Sequence, residues 1–275
     1  MSRIIIVTDS TADLTEQEIQ DFNIHVVPLN ITIQEEHYLD GETITKEEFK
    51  NKMIASSELP MTAQPSIGRF VELYDELGKD GSEINSISGT VNAARQAADI
   101  TESTVTVVDS DFTSRSMGII VREAANAAKE GKSAEEVLEV IESTRQRTKL
   151  YLTVLNLDNL IKGGRISRVM GAFSNLLNIK LFLEVINGKI EIVQKGRGLK
   201  SLQKKYDEVF EEMKACPNGI QEIGIMHAGL NEFNQSQIDT LRELFPDAKF
   251  TIVMTSPIIM SHTGVDAMAV TYLEK

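Results

Sequence analysis

Short apolar runs alternate along the chain with longer segments whose apolar residues recur at helical spacing. The first run, Ile4–Val7, has the composition of a buried strand and is too short for the core of a signal peptide. Capping boxes, in which Ser or Thr precedes Glu by three residues, predict helix starts at Thr45 and Ser133. Asp40–Gly41 has the composition of a hairpin turn. Further strands are predicted at 26–33 and 105–108, and helices at 15–22, 45–55, 66–77, 114–129 and 133–148.

A second series of elements begins at Leu150. In it, Asn187–Gly188 joins two β-rich runs, 179–186 and 189–193, and predicts a hairpin. The other predicted strands are 151–155, 223–226 and 250–254, and the predicted helices are 157–161, 169–177 and 199–215. Because strands and helices alternate, we expect a two-domain α/β fold. Domain 1–149 should hold a largely parallel sheet flanked by helices, and domain 150–275 a mixed α/β arrangement.

Composition narrows the class of protein. Of the 275 residues, 41% are hydrophobic and 25% charged, which is typical of globular domains, and no apolar run is long enough to span a membrane. A single cysteine, Cys216, excludes an internal disulfide and a multi-cysteine metal site, and we expect a reducing, cytoplasmic environment. The net charge of −13 repels a phosphate backbone, so no nucleic-acid partner is expected.

Hydroxyl-rich segments follow several predicted strands. They read TDSTAD from Thr8, SISGT from Ser86 and DSDFTSRSMG from Asp109, and a fourth segment, TAQPS, begins at Thr62. Ligands of open α/β sheets usually lie beyond the carboxyl ends of the strands, where hydroxyls and free N–H groups can bind a carboxylate or phosphate. The same residue types are preferred helix N-caps, so capping and ligand binding both remain open.

Few patterns favour an enzyme. No two of the four histidines have metal-ligand spacing, and no GxSxG motif marks a nucleophilic serine. Asp109, Asp111 and Thr113 match the nucleophile motif of haloacid-dehalogenase-type phosphatases, in which the first Asp attacks the phosphate beside Mg²⁺. The acidic pair that would hold the metal does not follow, so a magnesium-dependent phosphatase is the alternative hypothesis.

Two basic segments interrupt the acidic chain: KGGRISR, residues 162–168, and KGRGLK, residues 195–200. Each combines arginine, whose planar fork suits carboxylate or phosphate, with glycines that permit close approach of the backbone. A solvated surface is the simpler interpretation of any Lys/Arg run. The glycines within an otherwise acidic protein favour anion binding or docking of a partner.

Taken in order, these segments resemble the DegV family. The resemblance rests on IIIVTDSTADL, PMTAQPSIGRFVELYDEL, SISGTVNAARQAA, VVDSDFTSRSMG, KGGRISR, the NIKLFLEVINGKI hairpin, KGRGLKSL and the late SHTG, and so spans essentially the whole chain. In three places the sequence departs from the family pattern. SEINSISGT is several residues shorter than the usual strand and loop, HTGVD replaces the HTGPG-type ending, and MTAQPS replaces the commoner TSQPS.

The resemblance implies a two-domain DegV-like fold that binds one long-chain fatty acid in a tunnel between the domains, with no catalytic residue and no cofactor. It implies that the fatty-acid carboxylate contacts Thr62, Ser88, Gly89 and His262. It further implies an ATP-dependent fatty acid kinase partner, which phosphorylates the bound acid for phospholipid synthesis. Arg197 matches the arginine associated with kinase docking, and Arg165 is assigned to docking or phosphate contact.

The tunnel itself is predicted from apolar residues for which plain core packing is the alternative. These residues are Phe173, Leu176, Leu177, Ile258, Ile259 and Met260. Transient contact with a membrane is compatible with such a carrier. A lipid sensor or storage protein without a kinase partner remains a further alternative.

Overall fold

In a computed structural model of the protein, which describes residues 3–164 and 178–275, the chain divides into two units. The first unit comprises Met1–Thr45 and Met61–Gln146, and the second comprises Lys46–Pro60 and Arg147–Lys275. The division predicted from sequence is a single cut after Lys149, whereas the chain passes from one unit to the other three times. The segment Lys46–Pro60 therefore packs with residues that follow it much later in the sequence.

The first unit contains a four-stranded sheet in the order β2-β1-β6-β7, in which every neighbouring pair is parallel. A second sheet, β4-β3-β5, is antiparallel. The strands are β1 Ile4–Asp9, β2 His25–Val27, β3 Asn30–Ile33, β4 Glu36–Leu39, β5 Met61–Ala63, β6 Glu83–Ser88 and β7 Val105–Asp109. The helices of this unit are α1 Glu16–Asp21, α3 Ile67–Leu77, α4 Val91–Ala98, α5 Ser114–Lys129 and α6 Ala134–Arg147, which reaches the first residue of the second unit, and a 3-10 turn covers Ser10–Ala12.

Apolar side chains cover both faces of the parallel sheet. On β1, Ile6 packs with Met117 of α5 on one face, and Val7 packs with Phe70 of α3 on the other. A strand buried on both faces needs a continuous apolar run rather than an alternating pattern, which explains the sequence from Ile4 to Val7. The parallel sheet flanked by helices confirms the predicted α/β class.

Two local predictions in this unit are wrong. The run 26–33 forms two strands, because Pro28 interrupts it, and β3 joins a different sheet from β2. The hairpin turn lies at Gln34–Glu35, between β3 and β4, rather than at Asp40–Gly41. Both Gln34 and Glu35 adopt positive φ, as a tight two-residue hairpin turn requires.

The second unit contains one six-stranded sheet in the order β10-β9-β8-β13-β11-β12. Among the described strands of this sheet only β11 and β12 pair in parallel, so the sheet is mixed. The unit combines this sheet with helices, in agreement with the predicted α/β class. The strands are β8 Thr148–Val154, β9 Ile179–Ile186, β10 Lys189–Arg197, β11 Ile220–His227, β12 Lys249–Met254 and β13 Met268–Glu274. The helices are α2 Lys46–Ala55, α7 Asp158–Lys162, α8 Leu199–Lys214, α9 Glu232–Leu244 and α10 Pro257–Thr263.

The β9–β10 hairpin agrees with the sequence prediction. Asn187 and Gly188 both have positive φ and form the turn between Ile186 and Lys189. Positive φ at both positions is characteristic of a type I′ turn, for which Asn-Gly is the preferred pair. On one face of the sheet, Phe182 packs against Tyr206 of α8, with ring centroids 4.9 Å apart. The predicted helix at 169–177 lies outside the described residues.

Candidate functional site

The carboxyl ends of β1 and β6 lie side by side, and their polar residues form one connected cluster around Asp9. Asp9 is fully buried at the end of β1. Its Oδ2 accepts a hydrogen bond from the Ser88 hydroxyl, and the Gly89 N–H donates to the same oxygen over 3.2 Å. The Thr90 hydroxyl also donates to Oδ2, over 3.3 Å. Thus the predicted carboxylate-binding residues Ser88 and Gly89 both contact an internal carboxylate.

The other oxygen of Asp9 fixes the turn that follows β1. Thr11 donates to Oδ1 from its backbone N–H over 2.9 Å and from its hydroxyl over 2.5 Å. In all, five donors converge on one buried carboxylate, which offsets the cost of removing its charge from water. The cluster, comprising Asp9, Thr11, Ser88, Gly89 and Thr90, is called here the Asp9 cluster.

Sequence reasoning identified TDSTAD and SISGT as separate segments but did not single out Asp9. The available signal was the combination of an Asp at the last position of a buried strand with a Thr two residues later, which is the pattern of an Asx turn. That signal predicts the bond to Thr11. It does not predict the bonds to Ser88 and Gly89, which depend on the pairing of β1 with β6.

Thr62, the third predicted carboxylate-binding residue of this unit, lies in the other sheet. It occupies the centre of β5, where it pairs with Ile31 of β3, and its side chain is half-buried. Gln64, which follows β5, is held to the same sheet, because the Asn30 side-chain amide donates to its carbonyl over 3.0 Å.

The acidic residues of the alternative phosphatase motif form a turn after β7. Asp111 has positive φ, and its N–H donates to Asp109 Oδ1 over 3.0 Å. The Asp111 carboxylate pairs with Arg145 over 2.6 Å. Across residues 3–164 and 178–275, no group of three or more His, Cys, Asp or Glu side chains could hold a metal ion.

In the second unit, His262 lies in the last turn of α10, where α7 approaches it. Its Nδ1 lies 3.5 Å from the position that a Cβ on Gly163 would occupy. The Asn159 amide of α7 donates to the Ser261 carbonyl over 3.0 Å and so holds the end of α10. His262 is half-buried and has an interaction partner.

The described tunnel candidates share helix α10 with His262. Ile258 and Met260 are buried and Ile259 is half-buried. The helix is held at its start by Ser256, whose hydroxyl accepts the Ile259 N–H. The remaining candidates, Phe173, Leu176 and Leu177, and the docking candidate Arg165 lie outside the described residues.

Arg197, the other docking candidate, is exposed at the end of β10. Within the described ranges its guanidinium has neither a hydrogen bond nor an ion pair. Lys200, in the first turn of α8, is exposed and likewise unpaired among those residues, and the neighbouring Leu199 is 41% exposed. Together Arg197, Leu199 and Lys200 present a small basic surface on an acidic protein.

None of the helices described in the two ranges combines the length and apolarity needed to cross a lipid bilayer.

Comparisons with known proteins match this chain to one family over almost its whole length. A family model described as the DegV family of uncharacterised proteins matches residues 3–275. A DegV domain-containing protein of Listeria innocua is 40% identical over 279 residues, which cover 99% of each chain. The crystal structure of DegV, a fatty acid binding protein from Bacillus subtilis, covers 100% of both chains with a TM-score of 0.89 and 27% identity.

A DegV family protein from Thermus thermophilus, whose structure is described in terms of fatty acid binding, has a TM-score of 0.86 and 29% identity. It matches 99% of this chain and 100% of its own. The protein of the present sequence is therefore a member of the DegV family.

Proposed function

We propose that this protein binds one long-chain fatty acid and holds it by its carboxylate. The observation that carries the proposal is the full-length similarity to two solved DegV structures described as fatty acid binding, at 27% and 29% identity. The Asp9 cluster supports it, because hydroxyl and backbone N–H donors gather there at the carboxyl ends of parallel strands.

The proposed carboxylate contacts are Thr62, Ser88, Gly89 and His262. Burial of a carboxylate is costly unless several donors surround it, and two hydroxyls, an N–H and an imidazole form an adequate set. In the structure the Ser88 hydroxyl and the Gly89 N–H donate to Asp9. A ligand carboxylate thus competes with Asp9 for these donors, while Thr11 and Thr90 continue to stabilise the Asp9 charge.

The acyl chain is proposed to lie against Ile258, Ile259 and Met260 of α10, with Phe173, Leu176 and Leu177 as further predicted contacts. Each buried methylene contributes about 0.8 kcal/mol, so a long chain can account for most of the binding free energy. Discrimination between chain lengths is correspondingly modest, at about 1 kcal/mol for one methylene.

We further propose that the bound acid is presented to an ATP-dependent fatty acid kinase, which phosphorylates its carboxylate for phospholipid synthesis. In this role the protein is a non-catalytic subunit. The guanidinium of Arg197, which is exposed and has no partner among residues 3–164 and 178–275, supports this part of the proposal, since an arginine at a docking surface should be available to a partner's acidic or phosphate groups. Arg165 remains a predicted second contact.

Native mass spectrometry of the protein purified from bacterial cells tests the binding function. We expect a mass increment of one fatty acid per chain, and extraction after denaturation should identify its length and saturation. A mass equal to that of the polypeptide, with no uptake of added oleate or palmitate, would refute fatty-acid binding. An assay for magnesium-dependent phosphate release, with Asp109→Asn as its control, would then test the phosphatase alternative.

Substitution of Arg197 separates the carrier that serves a kinase from a lipid sensor or storage protein. We expect Arg197→Ala to bind oleate with unchanged affinity but to reduce phosphorylation of the bound acid by a cognate kinase about tenfold or more. Arg242→Ala removes an exposed arginine from α9 of the same unit and should leave phosphorylation unchanged. Equal phosphorylation of both variants would refute the docking role of Arg197.

A further inference from the structure

A group of nitrogen donors lies near the carboxyl ends of the parallel strands β11 and β12 and includes no residue assigned to the fatty acid. The last residues of these strands, His227 and Met254, lie next to each other in register. Helix α2, which belongs to the same unit, places two lysines over them. The Lys46 ammonium donates to the Met254 carbonyl over 2.7 Å.

Lys50, one turn further along α2, approaches the loop that follows β11. Its Nζ lies 3.3 Å from the position that a Cβ on Gly229 would occupy, and that same Cβ would lie 2.7 Å from the Val265 carbonyl. Only glycine leaves room for the ammonium beside the backbone here. The Asn234 amide holds this loop through bonds to the carbonyls of Gly229 and Asp266, over 3.4 and 3.3 Å.

Two of these nitrogen groups have no partner within the described ranges. Lys50 is half-buried, yet it has neither a hydrogen bond nor an ion pair there. The Nδ1 atom of His227 is buried and has no hydrogen-bond partner in the same part of the chain. Buried polar groups are nearly always paired. An imidazole nitrogen without a partner among the described residues, on a ring that the charge of Lys50 acts on, therefore indicates a place for an acceptor.

The electrostatics also favour an acceptor that carries negative charge. Burial lowers the pKa of His227, and the charges of Lys50 and Lys46 lower it further, whereas Glu47 raises it. The two lysine charges therefore exceed the single acidic charge that acts on this imidazole. At neutral pH the ring is mostly uncharged, and in the tautomer protonated at Nδ1 it can donate one hydrogen bond.

We propose that Lys46, Lys50 and His227 form a binding site for a phosphate group, either inorganic phosphate or the phosphate of a small monoester. The three donors come from two elements, α2 and the end of β11, and three donors suit an oxyanion with several acceptor oxygens better than a carboxylate with two. The carboxyl ends of parallel strands are also the usual location of such ligands in α/β sheets. The site is independent of the proposed fatty-acid function.

Imidazole NMR signals provide the direct test. In the full chain, we expect inorganic phosphate and methyl phosphate to shift the His227 signals saturably, while those of His25 and His37 do not move. The His227→Gln variant assigns the signals. A response to inorganic phosphate alone would identify a site for the free ion, and a tighter response to methyl phosphate would identify a site for a monoester. No saturable shift with either probe, or equal affinity for acetate, would overturn the proposal.

Lys50→Gln examines the residue on which the site depends most. A hydrogen bond to a charged group is worth enough that its loss should weaken phosphate binding about tenfold or more. Lys204→Gln, which changes the same charge at an exposed position on α8, should bind phosphate as the unmodified protein does. Thermal unfolding of Lys50→Gln, followed by circular dichroism, should match that of the unmodified protein and shows that the variant is folded. Unchanged phosphate affinity in that folded variant would refute the site.

Discussion

Asp9 is the residue on which the loop after β6 depends most. It accepts hydrogen bonds from Ser88, Gly89 and Thr90 across two strands, in addition to those from Thr11 in its own turn. Its removal would leave several buried donors without an acceptor. The Asp9 cluster therefore contributes to the stability of the first unit and holds two of the proposed carboxylate contacts, Ser88 and Gly89, in place.

We expect Asp9→Ala to lower the free energy of unfolding by about 3 kcal/mol or more, because buried donors lose a charged acceptor. Urea denaturation measures this change. Asp80→Ala is the matched control, since Asp80 accepts the same two bonds from Ser82, over 3.0 and 2.5 Å, at an exposed turn without cross-strand donors. Equal losses for the two variants would show that the bonds across the strands contribute nothing.

Glu18 makes the stability of the protein depend on pH in the acid range. Burial raises the pKa of this carboxyl, but two bonds from Arg115, a backbone bond from Thr15 and the charge of Arg122 lower it from 4.5 to about 2. Because the pKa of Glu18 is lower in the folded state, its ionised carboxylate stabilises the fold. This contribution to the free energy of unfolding is complete above about pH 4.5. It is lost as the pH falls towards 2.

At neutral pH this contribution should be on the order of 3 kcal/mol, and Glu18→Gln should remove it. Unfolding free energies measured between pH 7 and pH 2 should show the gap between the unmodified protein and Glu18→Gln closing below about pH 4.5. Glu208→Gln, which removes only exposed ion pairs, should show no such pH-dependent gap. If the difference in unfolding free energy between the two proteins stayed constant across this range, the pH dependence would not come from Glu18.

Among the elements, α5 packs closely against the turn after β1 because it has a glycine at the point of contact. Gly118 lies where a Cβ would come within 2.3 Å of the Ala12 carbonyl, directly after β1. Only glycine at this position allows α5 to approach the turn that carries Thr11. The close approach thus links helix packing to the geometry of the Asp9 cluster.

We expect Gly118→Ala to destabilise the protein by about 2 kcal/mol, since a buried backbone atom must move to admit the methyl group. Gly68→Ala should instead stabilise it, by up to about 1 kcal/mol, because Gly68 lies in α3 with open space around it. Thermal or urea denaturation of the two variants should therefore give changes of opposite sign. A stabilised Gly118→Ala variant would show that the approach of α5 is not rigid.

The elements recovered from sequence are those specified by local chemistry. The β9–β10 hairpin follows from Asn187–Gly188, and α6 begins at the predicted capping box, where Ser133 and Glu136 exchange hydrogen bonds over 2.8 and 3.3 Å. Strand β13 was not predicted, because a short apolar run near Met268 reads equally well as strand or helix. Its place in the sheet depends on pairing with distant strands.

The same distinction holds for the candidate site. Residue types that repeat a family motif, such as Ser88 and His262, can be identified one by one. Their partners cannot, because the bond from Ser88 to Asp9 joins residues far apart in sequence. Family membership and the α/β class, predicted from ordered segments along the chain, are both confirmed.

At the scale of the whole molecule, the division into two units makes a prediction about fragments. Phe49 and Met53 of α2 are buried. Helix α2 belongs to the second unit, and a fragment of residues 1–149 lacks most of that unit. A fragment of residues 1–149 should expose these side chains and therefore bind a hydrophobic dye and self-associate. A fragment with a flexible linker in place of residues 46–60 should do so less, as dye fluorescence and sedimentation would show. Stronger dye binding and self-association by the fragment with the linker would contradict the assignment of α2 to the second unit.

The passage of the chain through the second unit at Lys46–Pro60 also has a consequence during synthesis. Helix α2 leaves the ribosome long before α10, the helix against which it packs. A growing chain folds its N-terminal parts first, so the apolar face of α2 lacks this partner until α10 has been synthesised. Translation that stops between α2 and α10 should therefore release a chain in which apolar side chains of α2 stay exposed and promote aggregation.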